Sequence, residues 1–197
     1  VRELSAMGIE YLVFMEVANE GKAYYPSQLM PWWYDKDKQS PVEAILDEAA
    51  RYDMKVFMST GWAKDQDDNL QDPAVKQRQL QIMEELAVFY KNHKAFYGWY
   101  LPVEDCLCPI FAEHAVQSVN ALTQKANALT PGKKTLISPY GIGLSDFDNP
   151  EYEKQLAKLK VDIIAYQDEV GCVRNKFMLP RLKKTWQRLR DIHNRLN

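Results

Sequence analysis

Apolar and polar positions alternate along this chain in two rhythms. Short, near-continuous apolar runs occur at Tyr11–Val17, Lys55–Thr60, Phe96–Leu101, Lys134–Ser138 and Val161–Tyr166. Runs of that length, bounded by turn residues, predict strands covered on both faces. Between them the apolar residues recur at three and four positions, the period of a helix with one buried stripe. Val42, Ile45, Leu46 and Ala49 make one such stripe, and Leu80, Met83, Leu86, Ala87 and Tyr90 a second. Val116, Val119, Leu122 and Ala126 make a third; a short helix ends near Leu159, and a basic terminal helix carries Leu182, Trp186 and Leu189. Val1 to Ala6 reads as the end of a helix closed at Gly8, a residue type that stops helices.

Prolines punctuate the pattern at positions 41, 73, 109, 150 and 180. Each is expected to open a helix, because a fixed φ suits the first turn and the missing N–H is not needed there. Ser40, Asp72 and Asn149 stand before three of them as capping residues. The unit is therefore strand, variable loop, proline-opened helix and short turn, repeated five times. Such units predict a parallel sheet with right-handed crossovers. Long loops after strands and short turns after helices are the asymmetry of a TIM-type (β/α) barrel. A full barrel takes about 250 residues, so 197 residues with five units predict one domain, 1–197, that is an incomplete barrel or a fragment of one. An open parallel α/β sheet is the alternative, although no glycine-rich phosphate turn follows any strand.

Charge and composition remove several classes of function. A net charge of −2 gives no electrostatic case for nucleic acid. No apolar run is long enough to span a bilayer as a helix. Three cysteines, an odd number, exclude a disulfide framework. Cys106-Leu-Cys108 is a poor disulfide pair, and with Cys172 and no histidine nearby it makes a weak metal site. No metal and no cofactor are expected. Asp65 to Asn69 lacks the glycine and closing glutamate of a calcium loop. The five Trp and eleven Tyr matter more, because they gather in segments expected to be loops.

Candidate chemistry centres on Phe96 to Asp105. The strand is stopped at Pro102, and Glu104 follows just past its carboxyl end, the end at which α/β folds bind ligands. Trp99 and Tyr100 precede it and are expected to supply aromatic walls.

Gly98-Trp-Tyr-Leu-Pro-Val-Glu104, Ile137-Ser-Pro-Tyr140 and Asp162-Ile-Ile-Ala-Tyr-Gln-Asp168 resemble an uncharacterised family of bacterial (β/α)8-barrel proteins similar to glycoside hydrolases. Tyr25-Pro-Ser27 and Lys55-Val-Phe57 fit the same pattern. The resemblance runs over essentially the whole chain and makes its strands two to six of eight. It implies an extracytoplasmic setting and a carbohydrate substrate or ligand. It also implies that Glu104, at the end of strand four, is a general acid/base. The Asn that usually precedes that residue in the large retaining clan is Val103 here, and the strand that carries the nucleophile is not in this sequence.

Glycoside cleavage needs one protonated carboxyl to donate to the leaving oxygen and a second carboxylate across the bond. Asp168 is the further catalytic candidate, and Gln167 beside it can grip sugar hydroxyls, the amide donating and the carboxylate accepting. Alternation along the strand lets only one of the two point inward. Glu16 closes the first strand as a further polar contact or as a rim residue in a salt bridge. Tyr25, Trp62, Tyr100 and Tyr140 are candidate sugar contacts, since flat rings suit the apolar faces of pyranoses. Trp32 and Trp33 are expected to pack the first long loop. A non-catalytic glycan-binding barrel is the alternative function. Glu16, Glu104 and Asp168 are expected to share one bowl. The two outer strands, Tyr11–Val17 and Val161–Tyr166, lack the prolines and inward charges that protect edges, so further strands beyond both ends are expected.

Overall fold

The computed structural model describes residues 1–61, 71–103, 108–168 and 178–196. In chain order the elements begin with α1 (Arg2–Ala6), β1 (Tyr11–Phe14), the short strands β2 (Ala18–Asn19) and β3 (Lys22–Ala23), α2 (Pro41–Arg51) and β4 (Lys55–Ser59). There follow α3 (Pro73–Tyr90), β5 (Phe96–Tyr100), α4 (Glu113–Leu129), β6 (Lys134–Ile137), α5 (Pro150–Lys158), β7 (Ile163–Ile164) and α6 (Met178–Leu196). Five strands form one sheet in the order β1-β4-β5-β6-β7. The expected parallel sheet in chain order is therefore present, and successive strands joined through helices are the topology of a (β/α) barrel wall.

The chain divides into two compact units, Val1–Pro102 with Ala121–Leu136, and Val103–Asn120 with Ile137–Asn197. In the first, β1 pairs with β4 from Tyr11↔Lys55 to Phe14↔Met58. β4 pairs with β5 through a register shift after Val56 that sets Phe57 opposite Gly98, and Gly98 faces Lys134 of β6 on its other side. The inner strands β4 and β5 are buried almost throughout, as coverage on both faces requires. β1 is an outer strand and alternates instead, leaving Tyr11, Val13 and Met15 exposed. Trp99 is fully buried. Its ring meets Phe96 edge-on at 5.0 Å, and its indole N–H donates to Thr130 Oγ1 at 2.8 Å. Trp99 is thus a core residue with a satisfied polar atom, not the ligand-facing wall expected of it.

Helix starts follow local chemistry. Ser40, Asp72 and Asn149 each accept a backbone N–H from the first turn, at 3.1, 2.8 and 3.0 Å, and a proline follows each in the first turn. Pro109 departs from the pattern. It follows a cis peptide bond, and α4 begins only at Glu113. Cys108 before it is not a capping residue type, so that proline lacked the partner signal. Pro180 lies two residues inside α6 rather than at its start.

In the second unit a core of Phe111, Val116, Ile142, Tyr152, Leu156 and Leu182, continued by Leu189 and Ile192, joins α4, α5 and α6. The strand expected over Val161–Tyr166 reduces to β7, Ile163–Ile164. Its extension still follows β6: Ala165 N–H donates to Ile137 O at 2.9 Å and Gln167 N–H to Pro139 O at 3.0 Å. Both indices rise by two, which is parallel pairing. Cys108 is disulfide-bonded, a single bridge that the odd cysteine count leaves open; Cys106 and Cys172 lie outside the described residues.

Candidate functional site

The long segment after β1 carries most of the loop aromatics, and its conformation follows from a few polar anchors. Glu20 and Gly21 both have positive φ, 47° and 70°, and join β2 to β3 as a two-residue hairpin. Turns of that class need positive φ at both centre residues, which Gly supplies without strain. Beyond the hairpin, Ala23 N–H donates to Pro31 O at 2.8 Å and Trp33 N–H to Ala23 O at 2.9 Å. Glu85 of α3 then holds the centre of the loop. Its carboxylate accepts from Tyr25 Oη at 2.7 Å, Ser27 Oγ at 2.6 Å and the Gln28 N–H at 2.6 Å. Ser27 Oγ accepts in turn from the N–H groups of Leu29 and Met30, and Arg78 donates to Leu29 O at 3.2 Å.

This anchoring assigns the aromatic residues different places. Tyr25 has no exposed surface, and burial pushes its hydroxyl well above the usual phenol range. Its ring packs the loop on α3 and offers no face to a sugar. Trp32 stacks on Tyr34 with centroids 5.3 Å apart and donates its indole N–H to Ser27 O at 2.9 Å, the packing role expected of it. Trp33 differs from that expectation: 41% of it is exposed, although its indole N–H is fixed on Asn19 O at 3.0 Å. Tyr24 stacks beside it, with centroids 6.0 Å apart and planes 22° apart.

At the carboxyl end of β1, Glu16 is half-buried and accepts from Asn19 Nδ2 at 3.1 Å. It is near enough to Tyr24 to raise that hydroxyl's pKa, as does Glu20, behind a larger effect of burial. The end of β4 presses on the same backbone. Gly61 has φ +66°, and a Cβ there would stand 2.6 Å from Ala18 O. Gln79 of α3 fixes that glycine by donating to its carbonyl at 2.7 Å, leaving its own Oε1, like Thr60 Oγ1, buried with no protein partner. Tyr100, at the end of β5, is buried.

In the second unit the ends of β6 and β7 bring Tyr140, Gln167 and Asp168 together. Gln167 donates through its backbone to Pro139 O and through Nε2 to Ser138 O at 2.8 Å. Ser138 Oγ returns a bond to Ala165 O at 2.9 Å. The Gln167 amide N–H is thereby used to tie the strand ends. Asp168 beyond it is exposed, and Tyr140 is 39% exposed. Glu104 and Trp62 lie outside the described residues. Among the described residues no group of three His, Cys, Asp or Glu side chains could hold a metal, and no helix is long and apolar enough to cross a membrane.

Glu85 and Asn19 were not singled out from sequence. Asn19-Glu-Gly21 is a turn signal that could have marked the hairpin, whereas nothing local distinguishes Glu85 from Glu84 beside it.

A family model described as a domain of unknown function, DUF4434, matches residues 1–196. The chain belongs to that family. No curated protein matches it. Two solved structures share the fold of this DUF4434 chain. One is a provisionally assigned α-L-fucosidase of Bacteroides thetaiotaomicron, with a TM-score of 0.66 and 17% identity over 85% of this chain and 55% of that one. The other is an intracellular xylanase of Thermoanaerobacterium saccharolyticum, a point mutant in complex with xylotriose, with a TM-score of 0.52 and 13% identity over 93% of this chain and 62% of that one. The DUF4434 chain thus spans a little over half the length of each.

Proposed function

We infer that this chain is a glycoside hydrolase, or part of one, acting on a glycan with Glu104 as general acid/base and Asp168 as a further carboxylate of the site. The observation that carries this is the shared fold with two glycoside hydrolases, one of them holding xylotriose, in a sheet whose central strand β5 ends four residues before Glu104. Carboxyl ends of parallel strands are where such folds place their chemistry. An acid there protonates the leaving oxygen and a carboxylate acts across the bond, so no cofactor is needed. Asp168 and Tyr140 supply an acceptor and an apolar face at neighbouring strand ends, and Gln167 ties those ends together. The disulfide at Cys108 fits an oxidising, extracytoplasmic compartment.

Glu104→Gln tests the assignment. Turnover of a glycan identified by screening the wild-type protein falls by about two or more orders of magnitude, while affinity for that glycan is kept. Binding without turnover in both proteins identifies the non-catalytic glycan-binding alternative and overturns the enzyme.

A further inference from the structure

The proposed function leaves exposed Trp33 and the half-buried Tyr24 stacked on it without a role. Large apolar residues scattered singly over a surface need no explanation, but Trp33 is not loose. Its indole N–H is held by Asn19 O, its backbone by Ala23 O, and its ring stacks against Tyr24 with planes 22° apart. The support beneath is also fixed. Tyr24 N–H donates to Val17 O at 2.9 Å, and Gly61 closes on Ala18 with no space for a side chain. Holding two aromatic rings in one orientation, with a face left to solvent, prepays the ordering cost that a ligand would otherwise meet.

The polar groups around the rings narrow the ligand. Glu16, tied to Asn19 Nδ2, and Glu20 both act on the Tyr24 hydroxyl. Ionised carboxylates are pure acceptors, suited to hydroxyl donors and repelling an anion. The ammonium of Lys22 lies 4.5 Å from the Trp33 ring centroid. Lys22 is exposed, and such a contact is weak in water, so a ligand with a flat apolar face and a ring of hydroxyls can displace it. A neutral pyranose has both features.

We propose that Trp33 and Tyr24, with Glu16 and Asn19, form a sugar-binding subsite at the carboxyl end of β1, which takes a neutral pyranose unit of the glycan. The sugar stacks on the face of Trp33 that Tyr24 leaves open and donates hydroxyl hydrogens to the Glu16 carboxylate. This subsite rests on the glycan reading above. Its aromatic face and hydroxyl acceptors assign it to binding and not to bond cleavage.

The test is binding of neutral oligosaccharides to the wild-type protein, to Trp33→Ala and to Glu16→Gln, by glycan array and then calorimetry on the best ligand. Both variants weaken affinity, Trp33→Ala by about tenfold or more, as loss of a stacked face implies. Trp33→Phe, which keeps a flat ring, recovers part of the loss and serves as the folded control if the alanine variant does not fold. In cleavage of the same glycan the Trp33→Phe defect appears as a raised KM. Wild-type binding that all three variants retain overturns the subsite while leaving the glycan reading intact. No binding of any neutral glycan by the wild type overturns both. Preference for acidic sugars overturns the assignment of Glu16.

Discussion

Removing Glu85 should release the segment after β1 from α3. In Glu85→Ala three hydrogen bonds to one carboxylate disappear together, from Tyr25 Oη, Ser27 Oγ and the Gln28 N–H. Their costs differ by exposure. Gln28 is at the surface and its N–H turns to water at little cost. Tyr25 and Ser27 are buried, and each stranded buried donor costs about 1–3 kcal/mol, or about 2–6 kcal/mol for the pair. At ~2–4 °C per kcal/mol for a domain of this size, a cooperative melt moves down by roughly 4–24 °C. If the segment opens alone, the melt moves less and amide exchange accelerates over residues 23–33, because local openings draw on local bonds. Thermal denaturation and hydrogen exchange measured on the same sample distinguish the two. Glu85→Gln keeps one acceptor oxygen but turns an NH2 toward two donors, so it falls between wild type and the alanine variant. A Glu85→Ala protein with an unchanged melt and unchanged exchange over that segment would refute the anchor.

Two further outcomes follow from the geometry. Gly98→Ala places a Cβ 2.3 Å from Lys134 O and 2.9 Å from Phe57 Cε1, on backbone that the β5–β6 ladder holds in place. The reduced freedom of the unfolded chain returns only about 0.4–1 kcal/mol, against overpacking of about 3 kcal/mol or more, so denaturant titration should show a clear loss of stability; equal midpoints would show that the strands part freely. His193 Nε2 lies 2.8 Å from Tyr166 Oη, beside a groove of about 670 Å³ that Asp162, Trp186 and Arg190 also line, and burial lowers its pKa below the ordinary imidazole value. The unfolded chain therefore takes up that proton first, so stability is lost as pH falls below about 6.5 toward the folded-state pKa. His193→Gln, which keeps an acceptor for the tyrosine, should lack that part of the wild-type pH slope, and identical slopes would remove His193 as its source.

What the sequence made legible is what local signals encode. The inner strands were marked by apolar runs, and their parallel order by the repeated strand–helix unit. Three helix starts were marked by a capping residue followed by proline, and in each the cap accepts the expected bond. Pro109 shows the limit: proline without a capping partner did not open a helix. β7 shortened because the residues that continue it, Ala165 to Gln167, bond to the end of β6 without extending the ladder as a regular strand. The disulfide at Cys108 escaped because parity of the cysteine count excludes a fully paired set and not a single bridge. Trp99 was read as a ligand wall because it sits near a strand end, while its Thr130 partner lies 31 positions away and no local window contains both.

The five aromatic residues of the first long loop carry the same lesson toward the site. In sequence Tyr25 reads as a sugar contact and Trp32 and Trp33 as packing, with Tyr24 and Tyr34 given no role. In the fold they divide by hydrogen-bond partner. Tyr25 is drawn inward by Glu85, 60 positions away, and becomes an anchor. Trp32 is turned onto Ser27 O and becomes a brace with Tyr34. Trp33 is turned the other way, onto Asn19 O at the hairpin, and is left exposed with half-buried Tyr24 stacked on it. Neighbouring residues of one type thus acquire opposite roles because their N–H groups find different carbonyls. The polar partners of an aromatic cluster, rather than the cluster itself, decide which ring is free to meet a ligand.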